Sequence, residues 1–304
     1  MSRELHPLLP PFERRPSTVA IRRVQNYQED LAQILWETLA EFELPVRGKS
    51  VLLKPNFVES DRLGCINTHP ALVGAARECF LRMGADSVRV GDGPGHDRDT
   101  EAVLEAVRLR EYIGKQSGVF VDLNLDDATR VDLRTRASSL KQLYFPNAVL
   151  GADFIVSMPK MKTHHWAGVT LSMKNMFGIV PGGCYGWPKN ILHWAGIDKS
   201  ILDINSTVPP DFAIVDGIIG MEGNGPIQGT PKAAGVLVVG GDPVAVDATC
   251  ARVMGLRPER VSYLQKAGQL LGHIAEEQIR QIGEGIQSVR TPFTVLEAFQ
   301  SIRV

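Results

Sequence analysis

Short apolar runs alternate with amphipathic stretches along most of the chain, and this pattern predicts an α/β fold. The apolar runs are typical of buried strands, and they occupy residues 18–21, 51–53, 87–90, 154–156, 212–215 and 235–239. Between them, apolar side chains recur at helical spacing, over residues 27–43, 68–83, 100–110, 199–205 and 243–254. Alternating strands and helices favour a mainly parallel, Rossmann-like sheet with helices on its faces.

The pattern divides the chain into three regions. Residues 1–17, rich in proline and charge, are predicted to form an N-terminal arm, residues 18–150 a first α/β lobe, and residues 151–304 a second α/β lobe. Ligands bind at the carboxyl ends of strands in open parallel sheets, so we expect a crevice between the lobes. The glycine- and aromatic-rich segment 182–188 is predicted to be a mobile flap over it.

Single residues refine these elements. Thr68 is expected to cap the helix over 68–83, and Gly84 to end it. The glycine-rich stretch 220–229 is expected to be a loop.

Composition excludes several classes of protein. The chain has 304 residues, of which 44% are hydrophobic and 22% charged, and a net charge of −1. It therefore lacks the basic excess of a nucleic-acid binder. No run of about 18 apolar residues is present, and residues 1–16 lack the apolar core of a secretory signal, so no membrane span or export is expected.

The four cysteines, at positions 65, 79, 184 and 250, are scattered along the chain. Such scatter favours a reducing, cytoplasmic location. Because no Cys-x-x-Cys pair occurs, no iron–sulfur cluster is expected.

The segment 158–182 carries the strongest chemical signal. Three lysines and two histidines lie there among apolar and small residues, directly after the predicted strand 154–156. Lys160, Lys162 and His164 alternate, so in an extended chain they point to the same side. A cationic wall at the end of a strand suits a small anionic ligand, a carboxylate or a phosphate. The alternative is a solvated edge strand, in which lysines are common.

Polar residues after other predicted strands are expected to bind the same ligand. Lys54 follows three apolar residues and is as compatible with an anion-binding lysine as with one that extends to solvent. The remaining candidates for substrate binding are Asn56, Asn175, Glu222 and Asn224. A phosphate- or anion-binding loop is predicted at Gly91, Asp92, Gly93 and Gly95, and a tight turn without a ligand is the alternative.

His164 and Lys174 are the predicted catalytic residues. Imidazole is the usual general acid or base near neutral pH. Lys174 lies among methionines and a phenylalanine, and such surroundings lower the pKa of an ammonium toward neutrality. This suits a base, a nucleophile or a cofactor anchor. The alternative is a structural lysine paired with Asp216 or Glu222.

Several short motifs between residues 50 and 255 form a recognisable set. They are Lys54-Pro55-Asn56, Gly91-Asp92-Gly93-Pro94-Gly95, Pro159-Lys160-Met161-Lys162-Thr163-His164, Ser172-Met173-Lys174-Asn175-Met176-Phe177-Gly178, Val215-Asp216-Gly217, Glu222-Gly223-Asn224-Gly225-Pro226 and Asp242-Pro243-Val244-Ala245-Val246-Asp247. This set resembles the domain-of-unknown-function 362 family. The resemblance implies a family rather than a reaction. Many members carry ferredoxin-like cysteine repeats and are described as iron–sulfur proteins, and this chain lacks those repeats.

A second, more distant resemblance rests on His164, Ala167-Gly168, Lys174 and the turn Ile179-Val180-Pro181-Gly182. This order is similar to that of the nickel-pincer lactate racemase family. The resemblance implies a related fold, a catalytic or metal-binding role for His164, and a cofactor-anchoring role for Lys174. The chain departs from that family at Leu171-Ser172-Met173, where the family has glycines.

The residues predict an enzyme that binds a small anionic metabolite on a lysine and histidine cluster, as an isomerase, a lyase or an oxidoreductase. A metal- or cofactor-dependent redox protein and a non-catalytic ligand-binding protein are the alternatives. No cofactor is identified, and a divalent metal on His164, His165 and Asp216 is left open. No nucleic-acid or membrane partner is expected, and a homodimer is left open.

Overall fold

The computed structural model of the protein describes residues 15–61, 63–95 and 99–304. The predicted arm lies outside this part of the chain, apart from residues 15–17. Within the described residues, eleven strands form one sheet and two form a separate small sheet. The strands are β1 (Ser17–Arg23), β2 (Ser50–Pro55), β3 (Ser87–Asp92), β4 (Phe120–Asp122), β5 (Ala128–Asp132), β6 (Gln142–Pro146), β7 (Phe154–Met158), β8 (Lys160–His164), β9 (Gly168–Thr170), β10 (Phe212–Asn224), β11 (Gln228–Lys232), β12 (Val236–Gly240) and β13 (Ile279–Gly283).

Helices connect and cover these strands. The α-helices are α1 (Leu31–Leu39), α2 (Pro70–Arg82), α3 (Thr100–Ala106), α4 (Leu109–Ile113), α5 (Asn147–Leu150), α6 (Ser172–Asn175), α7 (Gly182–Tyr185), α8 (Asn190–Trp194), α9 (Ile197–Thr207), α10 (Pro243–Val253), α11 (Ser262–Leu270) and α12 (Ile286–Val289). Short 3₁₀ helices lie at Met176–Ile179, Pro258–Arg260, Glu276–Gln278 and Glu297–Ile302.

The main sheet is mixed, with mostly parallel strands. Its order is β13-β1-β12-β10-β7-β2-β3-β4, and β8 and β11 pair with β10 while β9 pairs with β8. In this order, β12 runs antiparallel to its neighbours β1 and β10, whereas the other steps are parallel. The predicted α/β class is therefore confirmed. The sheet contains strands from both predicted lobes, and the boundary at residue 150 stays a prediction.

Side chains of the sheet alternate between two apolar cores. In β2, Val51 and Leu53 belong to one core and Leu52 to the other. Helices α1–α4 pack in the first core, and α6, α9, α10 and α11 pack in the second. A strand that is buried on both faces has no polar side, which explains the continuous apolar runs in the sequence.

The helix predicted over residues 27–43 is shorter in the structure. Asp30 caps α1 by accepting a hydrogen bond from the backbone N–H of Gln33 at 3.0 Å. Tyr27 lies outside the helix, where its ring stacks on His69 with 3.8 Å between the centroids. The predicted start at residue 27 was wrong. The apolar periodicity is weak there, and the Asp30 carboxylate caps the helix three residues later.

Thr68 does not cap α2. The backbone N–H of Ala71 donates instead to Nδ1 of His69 at 3.2 Å. The Thr68 hydroxyl donates to the carbonyl of Met158 at 2.6 Å, and this bond ties the start of the helix to the end of β7.

The predicted loop over 220–229 is mostly a hairpin between β10 and β11. Its turn packs closely on β8, because a Cβ at Gly225 would collide with the carbonyl of Thr163. Among helices in the described part of the chain, none combines the length and hydrophobicity that crossing a membrane needs.

Candidate functional site

A cavity of about 390 Å³ lies at the carboxyl ends of β2 and β3, beside β8 and α6. Phe57, Val58, Trp166 and Phe177 contribute apolar walls. The polar residues that line it are Lys54, Asn56, Asp92, Lys162, His164, His165, Thr170, Lys174, Asn175, Lys189, His193, Asn224 and Gln228. Residues that follow the predicted strands 51–53, 87–90, 154–156 and 212–215 thus line one cavity, although Lys160, Gly91 and Glu222 do not.

Lys54 is buried, and its donors are already used. Its Nζ lies 2.5 Å from Oδ1 of Asp92 and donates to the carbonyl of Pro55 at 2.6 Å and to Oδ1 of Asn175 at 3.1 Å. An ammonium has three N–H donors. Burial lowers the pKa of Lys54, and the Asp92 carboxylate opposes this shift. The geometry gives Lys54 a role in holding the wall together and leaves no donor for the ligand that the sequence predicted.

Lys160 lies away from the cavity. Its Nζ forms an ion pair with Oδ2 of Asp216 at 2.7 Å and donates to the hydroxyl of Tyr27 at 2.9 Å. Lys160 and Asp216 are both fully buried. The prediction that Lys160 shares a ligand-binding wall with Lys162 is therefore wrong, because a carboxylate on β10 holds its ammonium.

Lys162 keeps part of its hydrogen-bonding capacity. Its Nζ donates to the carbonyl of Ile66 at 2.7 Å and, over a longer 3.4 Å, to that of Pro226. One N–H donor remains. Burial, with the nearby Lys160 charge, lowers the pKa of Lys162 to about 7.

Lys174 has the least compensated ammonium of the site. Its Nζ lies 3.9 Å from the centroid of the Phe177 ring, and no ion pair or hydrogen bond to it is found in the described part of the chain. Burial, with the Lys54 charge, lowers the pKa of Lys174 to about 7. The predicted pKa shift is thus supported, and the alternative pairing with Asp216 or Glu222 is not formed.

Lys189 is a site residue that the sequence reasoning missed. Its buried Nζ donates to the carbonyls of Gly93 at 2.8 Å and Gly178 at 3.3 Å, and burial lowers its pKa to about 7. The sequence does contain an indication that Lys189 is unusual. No aspartate or glutamate occurs between Asp153 and Asp198, so every lysine in that interval lacks an acidic neighbour in sequence.

The ring of His164 is held in one tautomer. Its Nδ1 accepts hydrogen bonds from the backbone N–H groups of Trp166 at 3.0 Å and Ala167 at 3.2 Å. An acceptor at Nδ1 places the proton of the neutral ring on Nε2. Burial, and then the Lys174 charge, lower the pKa of His164 well below its ordinary value. His164 is therefore a neutral hydrogen-bond donor, rather than the general base that the sequence predicted.

His165 has the opposite tautomer. Its Nδ1 lies 2.7 Å from the carbonyl of Gly225, and a carbonyl only accepts, so Nδ1 carries the proton and Nε2 is left as an acceptor. The two rings stack with their centroids 4.9 Å apart. A donor and an acceptor imidazole thus stand side by side on the cavity wall.

Of the two imidazoles, only that of His165 can take up a proton at Nε2. We therefore predict that His165→Gln slows any exchange of carbon-bound hydrogen in the cavity about a hundredfold or more, because the amide cannot take up a proton. His164→Gln is the matched control, since glutamine can keep both the acceptor and the donor of His164, and it should slow the exchange much less. Proton NMR of 2-hydroxy and 2-oxo carboxylates incubated with each variant in D₂O measures the exchange rates. Equal losses would contradict the tautomer assignment.

The predicted anion loop holds a carboxylate in place. Asp92 accepts hydrogen bonds from the backbone N–H groups of Phe57 at 2.6 Å and Gly93 at 2.8 Å. The Gly93 N–H is therefore not free for a ligand, although Gly93 and Gly95 line the cavity. Gly91 packs against apolar side chains of the core.

Two predicted binding residues are engaged elsewhere. Asn175 donates from Nδ2 to the carbonyl of Lys54 and to Oγ of Ser157, both at 3.0 Å, so it braces Lys54. Glu222 forms an ion pair with Lys232 at 3.3 Å, outside the cavity.

Three polar atoms of cavity-lining residues have no hydrogen-bond partner in the described part of the chain. They are Oδ1 of Asn56, Oγ1 of Thr170 and Nδ1 of His193. Asn224 lies at the exposed rim, where it donates to Gln228 at 3.0 Å. Buried polar atoms without partners are rare in native proteins, and a ligand in the cavity could bond to them.

The predicted metal ligands do not assemble. Asp216 is held by Lys160, Tyr27 and the backbone N–H of His69, away from the two histidines. Among the described residues, no group of three or more histidine, cysteine, aspartate or glutamate side chains could hold a metal ion.

The segment predicted as a flap is anchored at two points. The backbone N–H of Gly182 donates to Oδ1 of Asn124 at 2.9 Å, and the hydroxyl of Tyr185 accepts from the backbone N–H of Tyr144 at 2.8 Å. Its mobility stays a prediction.

Three known proteins are similar to the chain over most of its length. A thylakoid-associated protein of Synechocystis sp. (strain ATCC 27184 / PCC 6803 / Kazusa) is 29% identical over 266 residues, which cover 80% of this chain and 76% of the relative. The lactate racemase apoprotein from Thermoanaerobacterium thermosaccharolyticum aligns over 77% of this chain with 15% identity and a TM-score of 0.46. A protein from Thermotoga maritima aligns over 75% with 13% identity and a TM-score of 0.43.

The alignments cover 57% and 59% of those two solved structures, so the chain spans less than two thirds of either. The family model described as a domain of unknown function (DUF362) matches residues 51–252, which include the site lysines and histidines. That match extends over more than half of the chain, and the protein belongs to the DUF362 family.

Proposed function

We propose that the protein is an enzyme that binds a small carboxylate or phosphate in the cavity and moves a proton on it, in an isomerase- or lyase-type reaction. Lys174 is the observation that carries this proposal. Its ammonium lies at the cavity without a carboxylate partner among the described residues, beside imidazoles of opposite tautomer. A partly buried cation without a counter-charge is costly, and an anionic ligand would supply the missing charge.

The groups at the cavity suggest a division of roles. Lys162 and Lys174 attract the anionic group, since both retain N–H donors. Nε2 of His165 takes up a proton from a carbon next to a carboxylate or carbonyl, and the ammonium of Lys174 returns one. The Nε2–H group of His164 donates to the oxygen on which negative charge develops. The proton removed from the carbon returns to another position or face of the ligand or, in a lyase-type reaction, to the group that leaves, so the step needs no oxidant.

Binding of an anion should take up protons. The pKa values of Lys162, Lys174 and Lys189 are all lowered to about 7, so these lysines are largely neutral at pH 8. An anion favours their charged form and raises their pKa values. Affinity should therefore be highest below about pH 7, where the lysines are already charged, and fall as pH rises.

Calorimetric titrations with succinate at about pH 8, in buffers of different ionisation enthalpy, measure this uptake. We expect at least about one proton per anion bound, as the linkage between charge and binding requires. A binding enthalpy that does not depend on the buffer would contradict the prediction.

Exchange of carbon-bound hydrogen for deuterium tests the function without knowledge of the substrate. A panel of 2-hydroxy and 2-oxo carboxylates is incubated with the protein in D₂O and followed by proton NMR. Loss of the signal of the proton next to the carboxylate or carbonyl supports the proposal. Anion binding without exchange of any compound would favour the non-catalytic alternative.

We also propose that the enzyme works in the cytoplasm. All four cysteines are free, and three of them are buried, as is usual in reducing compartments. Fractionation of cells that express a tagged chain tests this location.

A further inference from the structure

The cavity has lysines on two of its walls. Lys162 lies on β8, and its Nζ bonds to carbonyls of the Ile66 and Pro226 segments. Lys189 precedes α8, and its Nζ bonds to carbonyls of Gly93, after β3, and Gly178, after α6. Each ammonium uses two donors on the protein and keeps a third.

The sheet order sets the distance between these walls. Strand β8 continues the line of β7, because both pair in parallel with β10. Strand β2 lies between β7 and β3. Neighbouring strands are about 4.8 Å apart, so β7, which β8 follows, and β3, which precedes Gly93, are about 10 Å apart. Both lysine side chains line the space between.

Lys174 lines the same cavity as Lys162 and Lys189. Its charge contributes to the lowered pKa values of both lysines. Among the described lining residues, Asp92 is the only carboxylate, and Lys54 neutralises it at 2.5 Å. A single anionic group at Lys162 and Lys174 would leave Lys189 with only Asp92, which Lys54 already neutralises, and Asp122 as nearby carboxylates.

The backbone of Lys189 supports a specific placement of its side chain. Its φ of 65° lies in the left-handed region, which residues with a Cβ seldom adopt. Only 2% of the residue is exposed. A lysine held in this way costs stability, and such costs cluster at ligand-binding sites.

We propose that Lys189 is a second anion anchor, and that the ligand is a small molecule with an anionic group at each end, such as a dicarboxylate or a phosphorylated carboxylic acid. This inference rests on the proposed function, since it specifies the ligand of the same cavity. One group binds at Lys162 and Lys174, where the proton transfer takes place. The other binds the free N–H of Lys189 and sets the length of the ligand.

Matched ligand pairs test the inference by calorimetry at about pH 6.5. Succinate is compared with butyrate, glutarate with valerate, and 3-phosphonopropionate is the phosphorus-bearing probe. We expect the two-ended anions to bind roughly tenfold more tightly or better, the size of one extra charge-assisted hydrogen bond. Equal affinity for both members of each pair would overturn the second anchor and leave the proposed function intact. No binding of any probe would contradict both.

Lys189→Gln separates the anchor from the fold. Glutamine can still donate to the carbonyls of Gly93 and Gly178 but carries no charge. This variant should lose the preference for two-ended anions and keep the affinity for butyrate. The exposed Lys199, which does not line the cavity, supplies the matched control Lys199→Gln, which should change neither. A preference that survives in a folded Lys189→Gln protein, verified by its melting temperature, would overturn the proposal.

Discussion

Lys174→Met should abolish deuterium exchange, with a loss of about a hundredfold or more as for removal of a general acid, while leaving the protein at least as stable as wild type. The methionine has a similar length and fits the surroundings of Phe177. It removes an amine that the proposed reaction needs. It also removes a charge that has no partner in the described part of the chain.

The gain in stability should depend on pH in a defined direction. Burial lowers the pKa of Lys174 from 10.5 to about 7 in the folded protein, whereas the unfolded chain keeps the ordinary value. Between these two values the unfolded state binds more protons, so the stability of the wild type rises with pH. The advantage of Lys174→Met is therefore full below about pH 7 and vanishes near pH 10.5.

Melting curves and exchange rates of Lys174→Met, Lys174→Arg and Lys199→Met, recorded beside wild type, check both effects. Arginine should not restore exchange, because the guanidinium keeps its proton and cannot transfer it. Lys199→Met should resemble wild type in both measurements. A large loss of stability in Lys174→Met would mean that the lysine is structural, and the catalytic role would be abandoned.

Apolar runs predicted the sheet well, because burial of a strand on both faces leaves a local trace in the sequence. Phe154-Ile155-Val156 and Val51-Leu52-Leu53 both became central strands. Boundaries were less predictable, since caps depend on single side chains. The Asp30 side chain caps α1 and so sets its first residue. His69, rather than Thr68, caps α2.

The roles of the lysines could not be predicted from their spacing. Lys54, Lys160 and Lys162 all follow or lie in buried strands, yet they differ in how many acceptors surround each Nζ. Those acceptors come from distant segments, such as Asp92 for Lys54 and Asp216 for Lys160. The number of acceptors around each Nζ is known only from the tertiary structure. This number distinguishes lysines whose N–H donors are all used by the protein from lysines that can still bind a ligand.

The histidine tautomers show the same limit. His164 and His165 are neighbours in sequence, but one ring accepts from backbone N–H groups and the other donates to the carbonyl of Gly225. A hairpin turn some 60 residues away thus decides which imidazole can act as a base. Sequence spacing favoured His164, and the hydrogen bonds favour His165.

Lys160→Met should lower the stability of the protein, in contrast to Lys174→Met. This substitution leaves the fully buried Asp216 carboxylate without its cationic partner at 2.7 Å. Breaking a buried ion pair in this way costs about 3–5 kcal/mol. The hydroxyl of Tyr27 and the backbone N–H of His69 still donate to Asp216, so the loss should lie toward the lower end of that range. Urea unfolding of the variant beside wild type measures it.

A double-mutant cycle distinguishes the ion pair from simple loss of packing. Asp216→Asn alone orphans the Lys160 ammonium, whereas Lys160→Met together with Asp216→Asn removes both charges. The double variant should therefore be less destabilised than the sum of the single variants, by about 1 kcal/mol or more as for residues in direct contact. Additive losses would show that the pair contributes through packing alone. Lys160→Met and Lys174→Met make the same replacement within the segment 158–182. Their opposite effects on stability would distinguish a lysine that stabilises the fold from a lysine that binds a ligand.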